Sequence, residues 1–212
     1  MADPPRIDVL AGTNGAGKSS IAGATIRASG ADYYNPDEAA QRIKDTNPGM
    51  SQAEANSLAW QEGKRLLERA ISERLNFGFE TTLGGDSITR LLERAIEEGI
   101  EVGIWYTGLS SPELHIERVR ARVARGGHDI PDADIRRRYS RGRENLIRLL
   151  PRLTELRVYD NSQEADPHEG VAPKPRLVLH LDRGRIMNAG DLPNTPEWAK
   201  AIVAAAMKLT VP

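Results

Sequence analysis

The sequence AGTNGAGKSS, residues 11–20, follows an apolar, strand-like run at residues 6–10 and precedes a helix-like run. It matches the phosphate-loop pattern G-x-x-x-x-G-K-[ST] at every fixed position, which here are Gly12, Gly17, Lys18 and Ser19. Because glycine has no Cβ atom, consecutive backbone N–H groups can turn inward around an anion, and a helix starting near Lys18 points its positive end at the same place. A glycine-rich turn without a ligand is the alternative, and the match at every motif position and on both flanks disfavours it.

We predict that this loop binds the phosphates of a nucleotide. The residues expected to contact the nucleotide are Gly12, Asn14, Gly15, Ala16, Gly17, Lys18, Ser19 and Ser20. Lys18 would reach the β- and γ-phosphates, and the Ser19 hydroxyl would ligate Mg²⁺. Since very many NTPases share this loop, the reaction has to be inferred from the rest of the chain.

Composition limits the class of protein. The 212 residues suffice for one α/β domain spanning 1–212, and the absence of cysteine excludes disulfides and thiolate metal sites. The N-terminus lacks a signal-peptide pattern, and no apolar run is long enough for a membrane span. Aromatic residues form only 5% of the chain and are not interleaved with basic ones, which argues against a nucleic-acid partner. We therefore expect a soluble, cytoplasmic protein.

The remaining pattern alternates strands and helices. Strands are predicted at residues 6–10, 31–35, 77–82, 101–107 and 157–161, and helices at 21–27, 51–75, 87–98, 111–126 and 131–150. Residues 163–175 read as an exposed loop, and residues 176–209 as a C-terminal hairpin, 176–182 with 185–188, followed by a helix over 195–209. This alternation predicts an α/β fold with a parallel sheet and helices on both faces.

Two carboxylates are expected at the same edge of this sheet, where ligands bind beyond the strand ends. Asp37, in YYNPDEAA, could act on an acceptor, although an Asp beside a Pro before a helix is often only an N-cap. Glu80 ends the strand that reads FETT, beside Thr81 and Thr82, and it could hold a Mg²⁺-bound water or an acceptor hydroxyl. Asp160 is the alternative to Glu80 as the carboxylate near the metal ion.

The lid segment, residues 112–150, carries an unusual charge pattern. Ten arginines and no lysine lie between residues 115 and 148, and arginine is the residue suited to planar, bidentate contact with phosphate. Arg122 and Arg125 share one helical face, which breaks at Gly126-Gly127-His128, so we interpret them as residues of a mobile lid. The alternative is a solvated helix surface. Among the histidines, only His128 is a functional candidate, and a structural zinc site is not expected.

Five stretches together resemble the zeta-toxin-like P-loop kinase family, in its short form without a fused antitoxin. They are AGTNGAGKSS, NPDEAA, FETTL, RVRARVARGGHDIPDADIRRRYSRGRENL and YDNS, and the resemblance extends from residue 6 to the closing helix. In that family ATP phosphorylates a hydroxyl of UDP-N-acetylglucosamine, and a protein antitoxin is a possible partner. The resemblance implies a P-loop kinase-type α/β fold of three layers. It also implies that Asp37 is the base, that Glu80 holds substrate or metal, and that some of Arg122, Arg125 and Arg138 stabilise the transferring phosphoryl group.

One departure leaves the acceptor open. Zeta toxins usually continue T-L with an arginine that contacts the sugar nucleotide, whereas here Thr82-Leu83 runs into Gly84-Gly85. The acceptor can therefore be a nucleotide sugar or another small hydroxylated metabolite, with Asp37, Glu80, Thr81, Thr82 and Arg138 as its expected contacts. Asn161 is expected beside the adenine, by position only. The competing hypothesis is a nucleotide-gated regulatory ATPase that acts through a protein partner.

Overall fold

The structure is a computed structural model, and it describes residues 4–19, 21, 32–163 and 175–209. Its strands are β1 (Arg6–Ala11), β2 (Asp32–Tyr34), β3 (Phe77–Thr81), β4 (Glu101–Gly108), β5 (Glu155–Asp160), β6 (Arg176–Asp182) and β7 (Arg185–Asn188). Its helices are α1 (Pro36–Thr46), α2 (Gln52–Ser72), α3 (Asp86–Glu97), α4 (Pro112–Val123), α5 (Asp132–Leu149) and α6 (Lys200–Leu209). The backbone is also helical at residues 18, 19 and 21.

The strands form one seven-stranded sheet in the order β2-β3-β1-β4-β5-β6-β7. The first five strands in this order pair in parallel, and β6 and β7 add to the edge in antiparallel fashion. β1 lies between β3 and β4, so the phosphate loop emerges from the middle of the sheet. This arrangement confirms the predicted P-loop kinase-type α/β fold, with the C-terminal hairpin built into the same sheet.

Several helix ends have the predicted capping chemistry. Ser51 and Glu54 form a capping box at the start of α2, in which each side chain accepts a hydrogen bond from the other residue's backbone N–H (3.2 and 2.9 Å). Ser111 caps α4 by accepting from the N–H of Leu114 at 3.2 Å. These local signals explain why the predicted starts of both helices agree with the structure.

The C-terminal helix begins later than predicted. Two 3₁₀ turns, Leu192–Asn194 and Glu197–Ala199, precede α6, which starts at Lys200 rather than at residue 195. Pro196 accounts for the loss of Thr195 from the helix, because the residue before a proline is pushed out of the helical region. The 3₁₀ turn Glu197–Ala199 occupies the remaining residues before Lys200. β5 also begins two residues before its predicted start. The helix predicted over 21–27 and the loop over 163–175 lie mostly outside the described residues.

Most buried apolar side chains belong to one main core, and a separate smaller cluster lies in the lid segment. The main core packs the sheet, including Ile7 and Val9 of β1, against the helices. The smaller cluster joins α4 to α5 within the lid segment, through Ile116, Val119, Ile130 and Ile135. The lid segment therefore has a hydrophobic centre of its own. Among the described residues, no helix combines the length and the apolar character that crossing a membrane requires.

Candidate active site

The three glycines of the phosphate loop are required by its geometry. Gly12, Gly15 and Gly17 have φ angles of +140°, +82° and +83°, in the region that other residues rarely adopt. A Cβ atom at these positions would lie 2.2 Å from the Thr107 carbonyl oxygen, 2.7 Å from that of His115, and 2.6 Å from Asn161 Nδ2, respectively. The loop therefore needs glycine both for its backbone angles and for the close approach of its neighbours.

Neighbouring elements hold the carbonyl groups of the loop. The Asn161 amide donates to the Ala16 carbonyl at 2.9 Å, and His115 Nδ1 lies 2.8 Å from the Asn14 carbonyl oxygen. Within the described part of the chain, the backbone N–H groups of Asn14, Gly15 and Gly17 meet no acceptor. Donors left free beside a helix start are the arrangement that binds a phosphate. Ser20, the last of the predicted contacts, lies outside the described residues.

His115 supports the loop, and the sequence analysis missed it. Its side chain is buried and packs edge-on against Tyr139, with ring centroids 5.6 Å apart. Burial lowers the pKa of His115 to about 4, so the ring is neutral at neutral pH. Because its partner is a carbonyl oxygen, the ring carries its proton on Nδ1 and donates it. A lone histidine within a helix offers no sequence signal for this contact.

Glu80 lies directly beside the phosphate loop, at the end of β3. Its Oε2 accepts hydrogen bonds from Ser19 Oγ (2.9 Å), Tyr33 OH (2.9 Å) and Asn35 Nδ2 (3.0 Å), and Lys18 Nζ lies 3.7 Å from its Oε1. Only 7% of Glu80 is exposed, so these donors replace the water that the carboxylate has lost.

Asp160, the alternative to Glu80 as the carboxylate near the metal ion, forms hydrogen bonds with other residues. Its Oδ1 accepts from Trp198 Nε1 at 3.1 Å and from the Ser162 hydroxyl. Of the two carboxylates, therefore, Glu80 is the one that hydrogen-bonds to Ser19.

Asp37 is not the residue that caps α1. The Asn35 side chain does so, accepting from the N–H groups of Asp37 (2.9 Å) and Glu38 (3.4 Å). The Asp37 carboxylate is 48% exposed and instead faces the lid segment, with Arg122 Nη1 at 3.5 Å and His128 Nε2 at 3.8 Å. Burial lowers the pKa of His128, an effect that the nearby Asp37 charge opposes.

The predicted arginines differ in their placement. Besides its contact with Asp37, Arg122 donates to the His128 carbonyl at 3.1 Å. Arg138 donates to Asn14 Oδ1 at 2.9 Å, which connects α5 to the phosphate loop. Arg125 is exposed and donates to the Ala121 carbonyl of its own helix at 3.1 Å. Of these three arginines, Arg138 lines the cavity described below, whereas Arg122 and Arg125 do not.

The FETTL turn is shaped by its neighbours on α5. The hydroxyls of Thr81 and Thr82 each accept from a backbone N–H two residues later, at 3.2 Å. A Cβ atom at Gly84 would lie 2.6 Å from Cγ of Arg138, so any larger residue there would collide with α5. The glycine that departs from the usual zeta-toxin sequence therefore makes room for Arg138.

These groups border one cavity of about 610 Å³ beyond the carboxyl ends of β2 and β3. Lys18, Asp37, Glu80, Thr81, Thr82 and Arg138 all line it, together with residues of α2. A cavity that reaches from the phosphate loop to a separate carboxylate can hold two substrates side by side.

A family model described as zeta toxin matches residues 2–169. The chain belongs to the zeta toxin family. A relative from Haemophilus influenzae (strain ATCC 51907 / DSM 11121 / KW20 / Rd), described only as an uncharacterized protein, is 33% identical over 132 residues, which are 60% of this chain and 88% of that protein.

Two solved structures share the fold of this zeta toxin family member. The AvrRxo1-ORF1:-ORF2 complex with ATP matches with a TM-score of 0.64 and 16% identity, over 99% of this chain and 65% of that one. The PezAT chromosomal toxin–antitoxin system of Streptococcus pneumoniae matches with a TM-score of 0.53 and 18% identity, over 76% and 69% of the two chains. The chain thus spans about two thirds of the AvrRxo1 chain that it resembles. Family and fold together make it a P-loop kinase-type protein.

Proposed function

We propose that this protein is an ATP-dependent kinase that transfers the γ-phosphate to a hydroxyl group of a small metabolite or nucleotide sugar. The observation that carries the proposal is the pair of hydrogen bonds to Glu80 Oε2 from Ser19 and Asn35. These bonds connect the phosphate loop to the start of α1. Asp37, in the first turn of α1, lines the same cavity as Lys18 of the loop. A donor site and a candidate base for an acceptor are the two parts that phosphoryl transfer requires.

The donor side fits ATP. The free N–H groups of the loop and the Lys18 ammonium supply positive charge for the β- and γ-phosphates. The AvrRxo1 structure, named as an ATP complex, supports the same nucleotide here. Asn161 contacts the loop at Ala16, and we assign it to the donor site on that ground.

The oxygen donors beside Lys18 suit Mg²⁺. The Ser19 hydroxyl and the Glu80 carboxylate lie 2.9 Å apart, and hard oxygen ligands of this kind are those that Mg²⁺ prefers. Ser19 would hold the ion, with Glu80 as a direct or water-mediated partner. The ion, when bound, supplies positive charge that neutralises the β- and γ-phosphate oxygens.

On the acceptor side, Asp37 receives the proton. The acceptor oxygen forms a bond to the γ-phosphorus, the bond from that phosphorus to the β–γ bridging oxygen breaks, and ADP leaves while the hydroxyl proton passes to Asp37. In this proposal, the charge on the transferring group is met by Arg122, which lies beside Asp37, and by Arg138, which contacts Asn14. Thr81 and Thr82 border the space for the acceptor.

UDP-N-acetylglucosamine is the first acceptor to test, because the chain belongs to the zeta toxin family and this compound is the acceptor that the family resemblance implies. The likeness to PezAT, named as a toxin–antitoxin system, further supports a protein antitoxin as a partner.

A labelled-transfer screen tests the function. Wild type, Lys18→Ala and Asp37→Asn are incubated with γ-labelled ATP, Mg²⁺ and either UDP-N-acetylglucosamine or a fractionated metabolite extract. We expect labelled product from wild type only. Release of labelled inorganic phosphate, with no labelled acceptor in any fraction, would overturn the proposal in favour of the nucleotide-gated ATPase.

A further inference from the structure

One face of α2 forms a wall of the cavity that Asn14 and Lys18 of the phosphate loop also line. The side chains on it follow helical spacing and are Ala53, Asn56, Ser57, Trp60 and Lys64. The other side of α2 packs into the main core through residues such as Ala55, Ala59 and Leu67. The functional residues discussed so far include none on this wall.

Trp60 is the unusual residue of the wall. It is 45% exposed, and within the described part of the chain no aromatic ring or cation packs against it. The other two tryptophans have partners, since Arg157 lies over Trp105 and Trp198 packs near Tyr106. A large aromatic side chain exposed within a concave site, rather than on an open surface, is typical of ligand binding.

The wall is held firmly relative to the catalytic groups. Tyr34 OH donates to the Ala59 carbonyl at 2.6 Å, and the Tyr34 ring lies so close to Gly63 that a Cβ atom there would be 2.7 Å from Cε1. Tyr34 directly precedes Asn35, the residue that connects α1 to Glu80. The position of Trp60 relative to Asp37 is therefore fixed by rigid elements and not by a loop.

Polar groups on the same face can add hydrogen bonds. Asn56 Oδ1 accepts from Gln52 at 2.9 Å, whereas Asn56 Nδ2 has no acceptor among the described residues. An aromatic face with an amide donor one turn away suits a flat ring that carries polar substituents.

We propose that Trp60 determines acceptor specificity by stacking on a ring of the acceptor while a hydroxyl of the same molecule reaches Asp37. The inference rests on the proposed function, and it adds that the acceptor contains a ring with a face that can stack on the indole, either a sugar ring or a planar nucleobase. Open-chain hydroxyl compounds would leave the Trp60 face exposed and bind weakly.

Binding is measured first, by tryptophan fluorescence in the presence of Mg²⁺ and a non-hydrolysable ATP analogue. The probes are N-acetylglucosamine for the sugar ring, uridine and adenosine for the base, UDP-N-acetylglucosamine for both, and gluconate as an open-chain compound. We expect at least one ring compound to change the emission of wild type but not of Trp60→Phe, with the probes distinguishing sugar from base. If no ring compound changes the emission, or if Trp60→Phe responds equally, the inference is wrong.

Kinetics then distinguishes this inference from the proposed function. For the acceptor found in the transfer screen, Trp60→Ala should raise KM about 10-fold or more and leave kcat nearly unchanged, since stacking binds ground state and transition state alike. Trp60→Phe should recover most of the affinity. Leu58→Ala is the matched control, because Leu58 is on the same helix and equally exposed at 45% but lies outside the cavity.

If Trp60→Ala transfers phosphate at the wild-type rate and with an unchanged KM, the proposed role of Trp60 is wrong and the proposed kinase function is unaffected. Ring binding that depends on Trp60, without any phosphoryl transfer, would overturn the kinase and leave the ring-binding site.

Discussion

Asp37 contributes little to folding and, in our proposal, much to catalysis. Asn35 already caps α1, and Asp37→Asn keeps the size of the side chain. We expect the thermal midpoint and ATP affinity to stay near wild type while acceptor phosphorylation falls by roughly 10² or more, the usual scale for a positioned base. Asp45→Asn, on the exposed end of the same helix, is the matched control. Full transfer activity in Asp37→Asn would exclude this residue as the base.

His115 makes the free energy of unfolding depend on pH in the acid range. Its pKa is about 4 when folded and near 6.5 when unfolded, so unfolding takes up a proton between these pH values. The stability from this site is complete above pH ~6.5 and is lost as the pH falls toward ~4, by on the order of 3 kcal/mol.

His115→Asn keeps a donor for the Asn14 carbonyl and removes the titration. The free energy of unfolding, measured by urea titration at several pH values, should fall less steeply with acid in this variant. Equal slopes for variant and wild type between pH ~4 and ~6.5 would contradict the buried, neutral state of His115.

At the scale of elements, the lid segment contacts both halves of the site. Arg122 reaches Asp37, and Arg138 reaches Asn14 of the phosphate loop. We expect Arg122→Ala to lower phosphoryl transfer by ~10³, as losses of an arginine finger do, with a smaller effect on ATP binding. Arg125→Ala should act to a similar degree, which requires its side chain to leave the Ala121 carbonyl when substrates bind. Arg120→Ala, at an exposed arginine of the same helix, is the control.

Hydrogen exchange tests the lid movement directly. Residues 118–135 should exchange more slowly when nucleotide, Mg²⁺ and acceptor are present together, because closure orders them. Exchange that is indifferent to ligands, together with full activity of both alanine variants, would make the arginines a solvated surface.

At the scale of the whole molecule, residues near the C-terminus pack into the main core against the sheet. Trp198 packs so closely on Gly108 of β4 that a Cβ atom there would lie 2.4 Å from the indole ring. Gly108→Ala should therefore lower the free energy of unfolding by about 1–3 kcal/mol, the usual cost of overpacking. Gly49→Ala is the matched control, because nothing lies within 4 Å of its Cβ position. Urea titration of both variants checks this, and equal midpoints would show that the indole can shift without cost.

Local sequence patterns predicted the parts of this molecule that are local in space. The phosphate loop, the capping box at Ser51 and the alternation of strands and helices each depend on residues close together in the chain. The Asn-Pro pair before Asp37 also carried a usable signal, since Asn is a preferred N-cap and Pro a preferred first helical residue.

The contacts that complete the site join residues far apart in the sequence, so local sequence patterns could not predict them. His115 lies 101 residues from Asn14, Arg138 lies 124 residues from it, and Asn35 lies 45 residues from Glu80. Such pairs depend on how α4, α5 and the sheet edge pack together. The partners of a side chain in a folded core are set by that packing and leave no periodic trace in the sequence.

The two hydrogen-bonding ends of the Asn35 amide restrict which amino acids position 35 can accept. Its oxygen caps α1 and its nitrogen donates to Glu80, so one short side chain must be acceptor and donor at once. Aspartate would cap equally well but place a second negative charge against Glu80, serine and threonine are too short to span both partners, and glutamine is a poor cap. Asparagine meets both demands, and a saturation library at this position should retain it.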